Sequence, residues 1–338
     1  MRALFLFLSI YCFAFDLSYT NYSDRSQLPD AVAVIAFNRP EYLKKLIQSL
    51  EQNPESSQIP FFFFLDGGEG NTQIENQSLV DLSRIANRNV VLREKNYGCP
   101  MNHLEAAKFL FDWCGFKRVV FIQEDLMVSC SYLQTLFRLH DWANEHYANI
   151  GTVQLWSYCC LNRSKKMERL TKVQEVSPHW SMVSYCIGKN VWDAISPFLS
   201  EYQKYILPLM DDPNYRIARS KPRNGPTARS WREWVERHAV SYDRAAVLAS
   251  YQSHLPLWES TTPQNFWFLG DTFPMNQDEI TSYAIWLAGF TRIQTEVNRA
   301  IHIGHRGISG DWSKAPISEM KLHQFAEDLE LYNFKRRR

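Results

Sequence analysis

The sequence has almost no excess charge. Its 338 residues set 37 Lys and Arg against 36 Asp and Glu, a formal net charge of +1. A nucleic-acid binder normally shows a basic excess or patch, so that partner class is set aside. The terminal run Lys335-Arg336-Arg337-Arg338 reads as a solvated tail. No CxxC pair or Cys/His spacing is present, which argues against a structural zinc site. No apolar stretch reaches the roughly 20 residues that cross a bilayer. The run from Ala3 to Phe15 is shorter and follows Arg2, the pattern of a secretory signal with cleavage near Ala14. Internal repeats and low-complexity tracts are absent. No GxGxxG follows the first predicted strand, which disfavours a dinucleotide-binding fold.

What is present is a core-forming composition, 45% hydrophobic with 11 Trp, 16 Tyr and 21 Phe, enough for one large domain or two modest ones. Cys12 lies in the signal-like run. The other six cysteines could form three disulfides in an oxidising compartment or stand as buried thiols. Glycosylation sequons begin at Asn21, Asn76 and Asn162 and matter only for a eukaryotic chain entering the secretory path. A secretory lumen or a bacterial envelope is therefore the expected location, with the cytoplasm and a membrane contact through the N-terminal run left open.

Beyond a polar leader to residue 30, Ala31 to Phe37 reads as a buried strand. Pro40 then opens a helix carrying Tyr42, Leu43, Leu46, Ile47 and Leu50 at helical spacing. Ile59 to Gly68 contains a second strand, Asn87 to Glu94 a third and Val119 to Ile122 a fourth, with a helix over Asn102 to Cys114. This β-α-β-α-β-α-β rhythm predicts an α/β fold with a doubly wound, mostly parallel sheet. Further elements are expected over 131–146 (helix), 150–156 (strand) and 278–289 (helix), followed by a strand and loop.

The strand ends carry the polar residues. The first ends in Asn38-Arg39, the second in Asp66-Gly67-Gly68, and the fourth in Gln123-Glu124-Asp125. In a parallel sheet these ends share one edge, where ligands of open α/β folds bind. Acids for base or ribose hydroxyls, a cation for phosphate and a carboxylate for a divalent metal fit a nucleotide diphosphate. One protein carboxylate can suffice for Mg²⁺ or Mn²⁺ when phosphate oxygens complete the shell. Strand-end acids more commonly cap turns or face water. Three successive polar strand ends favour a site.

The segments "VIAFNRPEYLKKLIQSL", "FLDGG" and "VVFIQEDLMVS" resemble the nucleotide-binding half of GT-A (nucleotide-diphospho-sugar transferase) glycosyltransferases, most closely the N-acetylglucosaminyltransferase I type, including the enzyme acting on O-mannose. The C-terminal "DEITSYAIWLAGFTRIQTEVNRAIHIGHRGIS" is similar to the segment running from that family's catalytic aspartate to its GxxGxS loop. The resemblance implies Asp125 as the direct metal ligand, with Mn²⁺ or Mg²⁺ as cofactor, and Asp278 as the general base. It implies Arg39 and Ser309 on the phosphates, Asp66 on uracil, and Gln123 and Glu124 within the nucleotide-sugar site. Gln123 replaces the family's first acid, which leaves the donor sugar open, UDP-GlcNAc being the default. The implied activity is inverting, metal-dependent transfer from a UDP-sugar donor to a glycan, glycoprotein or other hydroxyl acceptor. Two alternatives stand beside it. One is a GT-A-like nucleotidyltransferase, disfavoured by the missing Gly-rich loop; the other is a non-catalytic sugar- or nucleotide-binding protein. The organisation expected is a leader over 1–30, the nucleotide-sugar half over 31–197, an unaligned segment over 198–277 and a C-terminal part over 278–338.

Residues read as structural include Asn96, by turn chemistry, and Trp192, in the core. His302 and His305 are weighed as structural before metal or phosphate contacts. Trp156 and Trp180 are read as core or as acceptor wall. Asn102 falls near the nucleotide edge.

Overall fold

A computed structural model describes residues 29–68, 72–156, 172–176, 182–210, 277–304 and 335–336. The first half alternates as expected. Strand β1 (Asp30–Ala36) leads to helix α1 (Pro40–Leu50), β2 (Phe61–Leu65), α2 (Thr72–Asp81), β3 (Arg88–Leu92), α3 (Gly98–Lys108) and β4 (Arg118–Gln123). A one-turn π segment, Phe109–Trp113, extends α3 before the chain enters β4. Then follow β5 (Leu126–Val128), α4 (Tyr132–His146), β6 (Ile150–Gln154), β7 (Lys172–Glu175), β8 (Ser184–Gly188) and α5 (Lys189–Met210). The C-terminal part contributes α6 (Gln277–Leu287), β9 (Thr291–Thr295), β10 (Ala300–His302) and β11 (Lys335–Arg336).

The α/β, doubly wound sheet is present. Nine strands run in the order β11-β7-β9-β6-β8-β4-β1-β2-β3, and β5 and β10 form a separate ribbon. β1 pairs in parallel with both β2 and β4, as do β2 with β3 and β6 with β9. β8 breaks the pattern by running antiparallel between β4 and β6. Two residues of the C-terminal basic run, expected as a solvated tail, instead add strand β11 to the sheet beside β7.

Alternation along the strands builds a core on each face. Phe61 and Phe63 of β2 face α1, where Leu43, Leu46, Ile47 and Leu50 are buried with Leu136 and Leu139 of α4. Phe62 and Phe64 face the other way, edge-on to Phe109 at 5.9 Å each. That second layer also takes Met101 and Leu104 of α3, Trp192 and Ile195 of α5, and Ile280 and Ala284 of α6. Trp192 is thus a core residue, as expected, with its indole N–H donating to Asp112 at 2.7 Å. Because β1, β2 and β4 are covered on both faces, they read as continuous apolar runs rather than alternating ones.

Helix α5 runs through the expected boundary between residues 197 and 198. Residues 211–276, most of the unaligned segment, lie outside the described residues, as do the signal-like run, Trp180, His305 and Ser309. Cys130 and Cys186 are free thiols. Asn76 is fully buried and its amide donates to the Phe37 carbonyl at 2.7 Å, so that sequon offers no acceptor in the folded chain. Among the described residues no helix is long and apolar enough to cross a membrane.

Candidate active site

The chain leaves β1 towards β2 and β3, then returns on the other side as β4. β1 and β4 are therefore neighbours with diverging connections, the switch point at which open α/β sheets form a crevice. Their register, Ile35 opposite Gln123, brings the two carboxyl ends together. Arg39 closes the gap. Its Nε donates to Glu124 Oε1 at 2.6 Å and its Nη1 to Asp125 Oδ2 at 2.9 Å. The Phe37 amide donates to the other Glu124 oxygen at 2.6 Å. Both acids are buried, while the Arg39 side chain keeps 28% of its surface in solvent.

The β5–β10 ribbon supplies the third wall. It sets His302 opposite Leu126, and His302 Nε2 lies 3.3 Å from Asp125 Oδ2. The Ile303 amide donates to the Asp125 carbonyl at 2.8 Å. Gly304 passes so close that a Cβ there would sit 2.5 Å from Asp125 Oδ2, so only glycine fits without moving the carboxylate. Trp156 is buried beside this wall, its ring centroid 6.3 Å from that of His302.

The two adjacent acids are driven apart in acidity. Burial raises Glu124, with Arg39 and the Phe37 amide pulling back only in part. Burial also pushes on Asp125, but His302 and Arg39 outweigh it and hold that carboxyl below its ordinary value. Arg39 in turn is penalised by burial, yet Glu124 and Asp125 hold it above the usual guanidinium value. The pattern is one ionised carboxylate next to one reluctant to ionise.

Among the described residues Asp125 Oδ1 is buried with no hydrogen-bond partner. A buried anionic oxygen left unpaired is costly, and a cation at that point would relieve it. No group of three or more His, Cys, Asp or Glu side chains among the described residues is arranged to hold a metal ion. Asp125 therefore fits a divalent cation as a lone protein carboxylate, the rest of the shell coming from ligand oxygens and water.

Gln123 stands beside this cluster, its Nε2 donating to Gln277 Oε1 at 3.4 Å. That contact brings the start of α6, and so Asp278, to the same edge. Asp278 lies in the first helical turn, where a carboxylate also gains from the helix dipole. Its charge acts on Tyr185 and on the fully buried Arg292, whose Nη1 donates to Ser282 one turn further along α6 at 2.7 Å.

Asp66 makes none of its hydrogen bonds to this cluster. Its oxygens accept from the Gly67, Tyr97 and Gly98 amides at 3.1, 2.8 and 2.8 Å, tying the end of β2 to the first turn of α3. Burial pushes it up to about 6 against those amides. Asn102 serves the same junction, accepting from Arg93 Nε and donating to the Phe64 carbonyl. Asn96 makes the expected turn, its side chain accepting from the Gly98 amide at 2.8 Å. The structure thus gathers Arg39, Gln123, Glu124, Asp125 and the start of α6, and spends Asp66 on the loop. It adds His302, which the sequence offered only as one of two histidines flanking Gly304, and Gln277, for which no sequence signal existed beyond its place before Asp278.

No family model matches the chain, and no curated protein matches it. Among solved structures, S. aureus TarS 1-349 in complex with UDP-GlcNAc superposes with a TM-score of 0.35 at 16% identity, over 49% of this chain and 47% of its own. The same TarS fragment in complex with UDP gives 0.34 at 16% identity, over 49% and 48%. A cytidylyltransferase from Leptospira borgpetersenii gives 0.31 at 8% identity, over 50% of this chain and 64% of its own. The chain spans about half the length of the TarS fragment it matches.

Proposed function

We propose that the chain is an inverting glycosyltransferase of the GT-A kind, resembling the N-acetylglucosaminyltransferase I type, that moves a sugar from a UDP-sugar to an acceptor hydroxyl. The observation that carries this reading is Asp125: an acid held ionised at the switch point, with Oδ1 buried and without a hydrogen-bond partner among the described residues. Asp125 is the residue that would hold Mn²⁺ or Mg²⁺. When bound, such a cation supplies charge neutralisation for a diphosphate leaving group.

The chain's own residues do the rest. Asp278 takes the proton from the acceptor hydroxyl as that oxygen attacks the anomeric carbon in one displacement. Arg39, partly solvent-exposed, adds a cation at the phosphate side while orienting Glu124 and Asp125. Gln123 contacts the sugar, and Ser309 the phosphates. UDP-GlcNAc is the default donor, and a glycan or glycoprotein the acceptor class.

One observation favours a second reading. Arg39 already pairs with both acids, which lessens the negative charge a metal would meet there. The deciding experiment measures binding and hydrolysis of UDP-GlcNAc, UDP-Gal, UDP-Glc and UDP-GalNAc, with Mn²⁺ and with EDTA, on wild type and Asp125→Ala. Turnover of one donor that needs Mn²⁺ and vanishes in the variant is expected. Metal-independent binding without turnover would hand the site to the binding-protein reading.

A further inference from the structure

Behind the strand-end cluster a polar chain runs into an otherwise apolar core. His103 of α3, Tyr185 of β8 and Gln277 of α6 are 5%, 1% and 2% exposed. The His103 ring stacks on Phe121 at 4.4 Å and on Tyr185 at 5.7 Å. The Tyr185 hydroxyl lies 3.0 Å from His103 Nε2. At the outer end, Gln123 Nε2 donates to Gln277 Oε1. Between these two contacts the buried Gln277 side chain hydrogen-bonds Tyr185. Gln277, Tyr185, His103 and Thr281 line a cavity of about 20 Å³.

The outer contact sets the direction of every bond. Gln277 Oε1 accepts from Gln123, which turns the Gln277 amide nitrogen towards Tyr185. The Tyr185 O–H is then left to donate to His103 Nε2. Burial lowers His103 to about 3, so its ring is neutral with a single N–H, which this arrangement puts on Nδ1. Burial holds the Tyr185 hydroxyl well above its usual value, so it remains a donor. Its oxygen is then free to accept from Gln277 Nε2. With its amide nitrogen turned inward, Gln123 presents its carbonyl oxygen to the crevice. An N–H on Nε2 of His103 would reverse each step and turn Gln123 into a donor.

We infer that His103 and Tyr185 are positioning residues which, through Gln277, fix Gln123 as a hydrogen-bond acceptor for a hydroxyl or amide N–H of the donor sugar. This deepens the UDP-sugar reading and rests on it. A neutral carboxamide beside Glu124 accepts without adding a further buried negative charge, and the relay fixes which amide atom faces the ligand.

Two measurements test it. Proton–nitrogen NMR of the His103 ring in the ligand-free full chain is expected to find the Nδ1–H tautomer, with the Nε2 signal moving in Tyr185→Phe. An Nε2–H tautomer or a charged ring overturns the inference without reference to any donor. Titration of UDP and of UDP-GlcNAc, each with Mn²⁺, is expected to find UDP-GlcNAc binding weakened about tenfold in Tyr185→Phe, the scale of one buried hydrogen bond, and UDP binding unchanged. Gln123→Glu, which keeps an acceptor, should retain the preference for UDP-GlcNAc over UDP, and Gln123→Leu should lose it. Equal weakening of both ligands, or none, overturns the positioning role. If wild type binds neither, the UDP-sugar reading falls and the sugar contact with it, while the tautomer still decides the polarity of the chain.

Discussion

Replacing Arg39 with methionine removes the cation from two adjacent buried acids while keeping most of the side chain's bulk. The Glu124 and Asp125 side chains are 3% and 7% exposed, so neither can recover its lost partner from water. At 2.9 Å and an effective dielectric near 20, one such contact is worth roughly 6 kcal/mol before desolvation is counted. Arg39 is 28% exposed and His302 still faces Asp125, so the net figure is smaller. Removing one member of a buried pair typically costs about 3–5 kcal/mol, and that is the loss expected at pH 8. Without Arg39 the folded pKa of Glu124, already raised by burial, rises further, while His302 still holds Asp125 down. The variant then gains stability as pH falls and a carboxyl takes up a proton, so the deficit against wild type must shrink towards pH 5. Urea unfolding followed by tryptophan fluorescence at pH 5 and pH 8 measures both quantities. A loss under about 1 kcal/mol, or one that is equal at the two pH values, would refute the reasoning, because it would mean that the acids are solvated or already protonated. Pairing Arg39→Met with Glu124→Gln should cost less than the sum of the two, since the second change removes the orphan left by the first.

Other outcomes follow from single contacts. Gly304→Ala should destabilise by about 1–3 kcal/mol through overpacking and weaken Mn²⁺ affinity, because the added methyl meets Asp125 Oδ2 at 2.5 Å; unchanged metal affinity by calorimetry would detach Asp125 from metal binding. Asp278→Asn should lower kcat by about 10²–10⁴ with donor binding intact, as loss of a general base does; a loss confined to KM would remove that role. The folded pKa of Asp66, about 6, lies above its ordinary 3.8, so its contribution is fully present below pH 4 and is lost as pH rises through 6. The difference in unfolding free energy between wild type and Asp66→Asn should therefore fall across that window by about 3 kcal/mol at most, and a difference that rises instead would mean that the three amides outweigh burial.

The sequence by itself determined the layers. Runs such as Ala31 to Ala36 and Phe61 to Leu65 have no polar residue to expose, so both faces had to be covered, and the alternating strand and helix signals left a doubly wound sheet as the way to cover them. It also placed Arg39 and the Glu124-Asp125 pair, since residues just past parallel strands fall on one edge whatever the details. Helix α3 was less legible: it begins at Gly98, earlier than its apolar spacing suggests, because the Asp66 carboxylate caps the turn from outside the helix.

Only the tertiary structure decided how those strand-end residues are spent. Asp66 and Asp125 look alike in sequence, an acid at the end of an apolar strand. The fold surrounds one with backbone amides, and leaves the other between Arg39 and His302 with an oxygen that has no partner among the described residues. The β5–β10 ribbon makes that difference by bringing His302 to Asp125, and it depends on residues far along the chain. Local pattern reports what must be buried, while long-range pairing selects which buried polar atoms find partners. His103, Tyr185 and Gln277 show this most directly, for they lie far apart in the sequence and meet only because α3, β8 and α6 pack around one cavity.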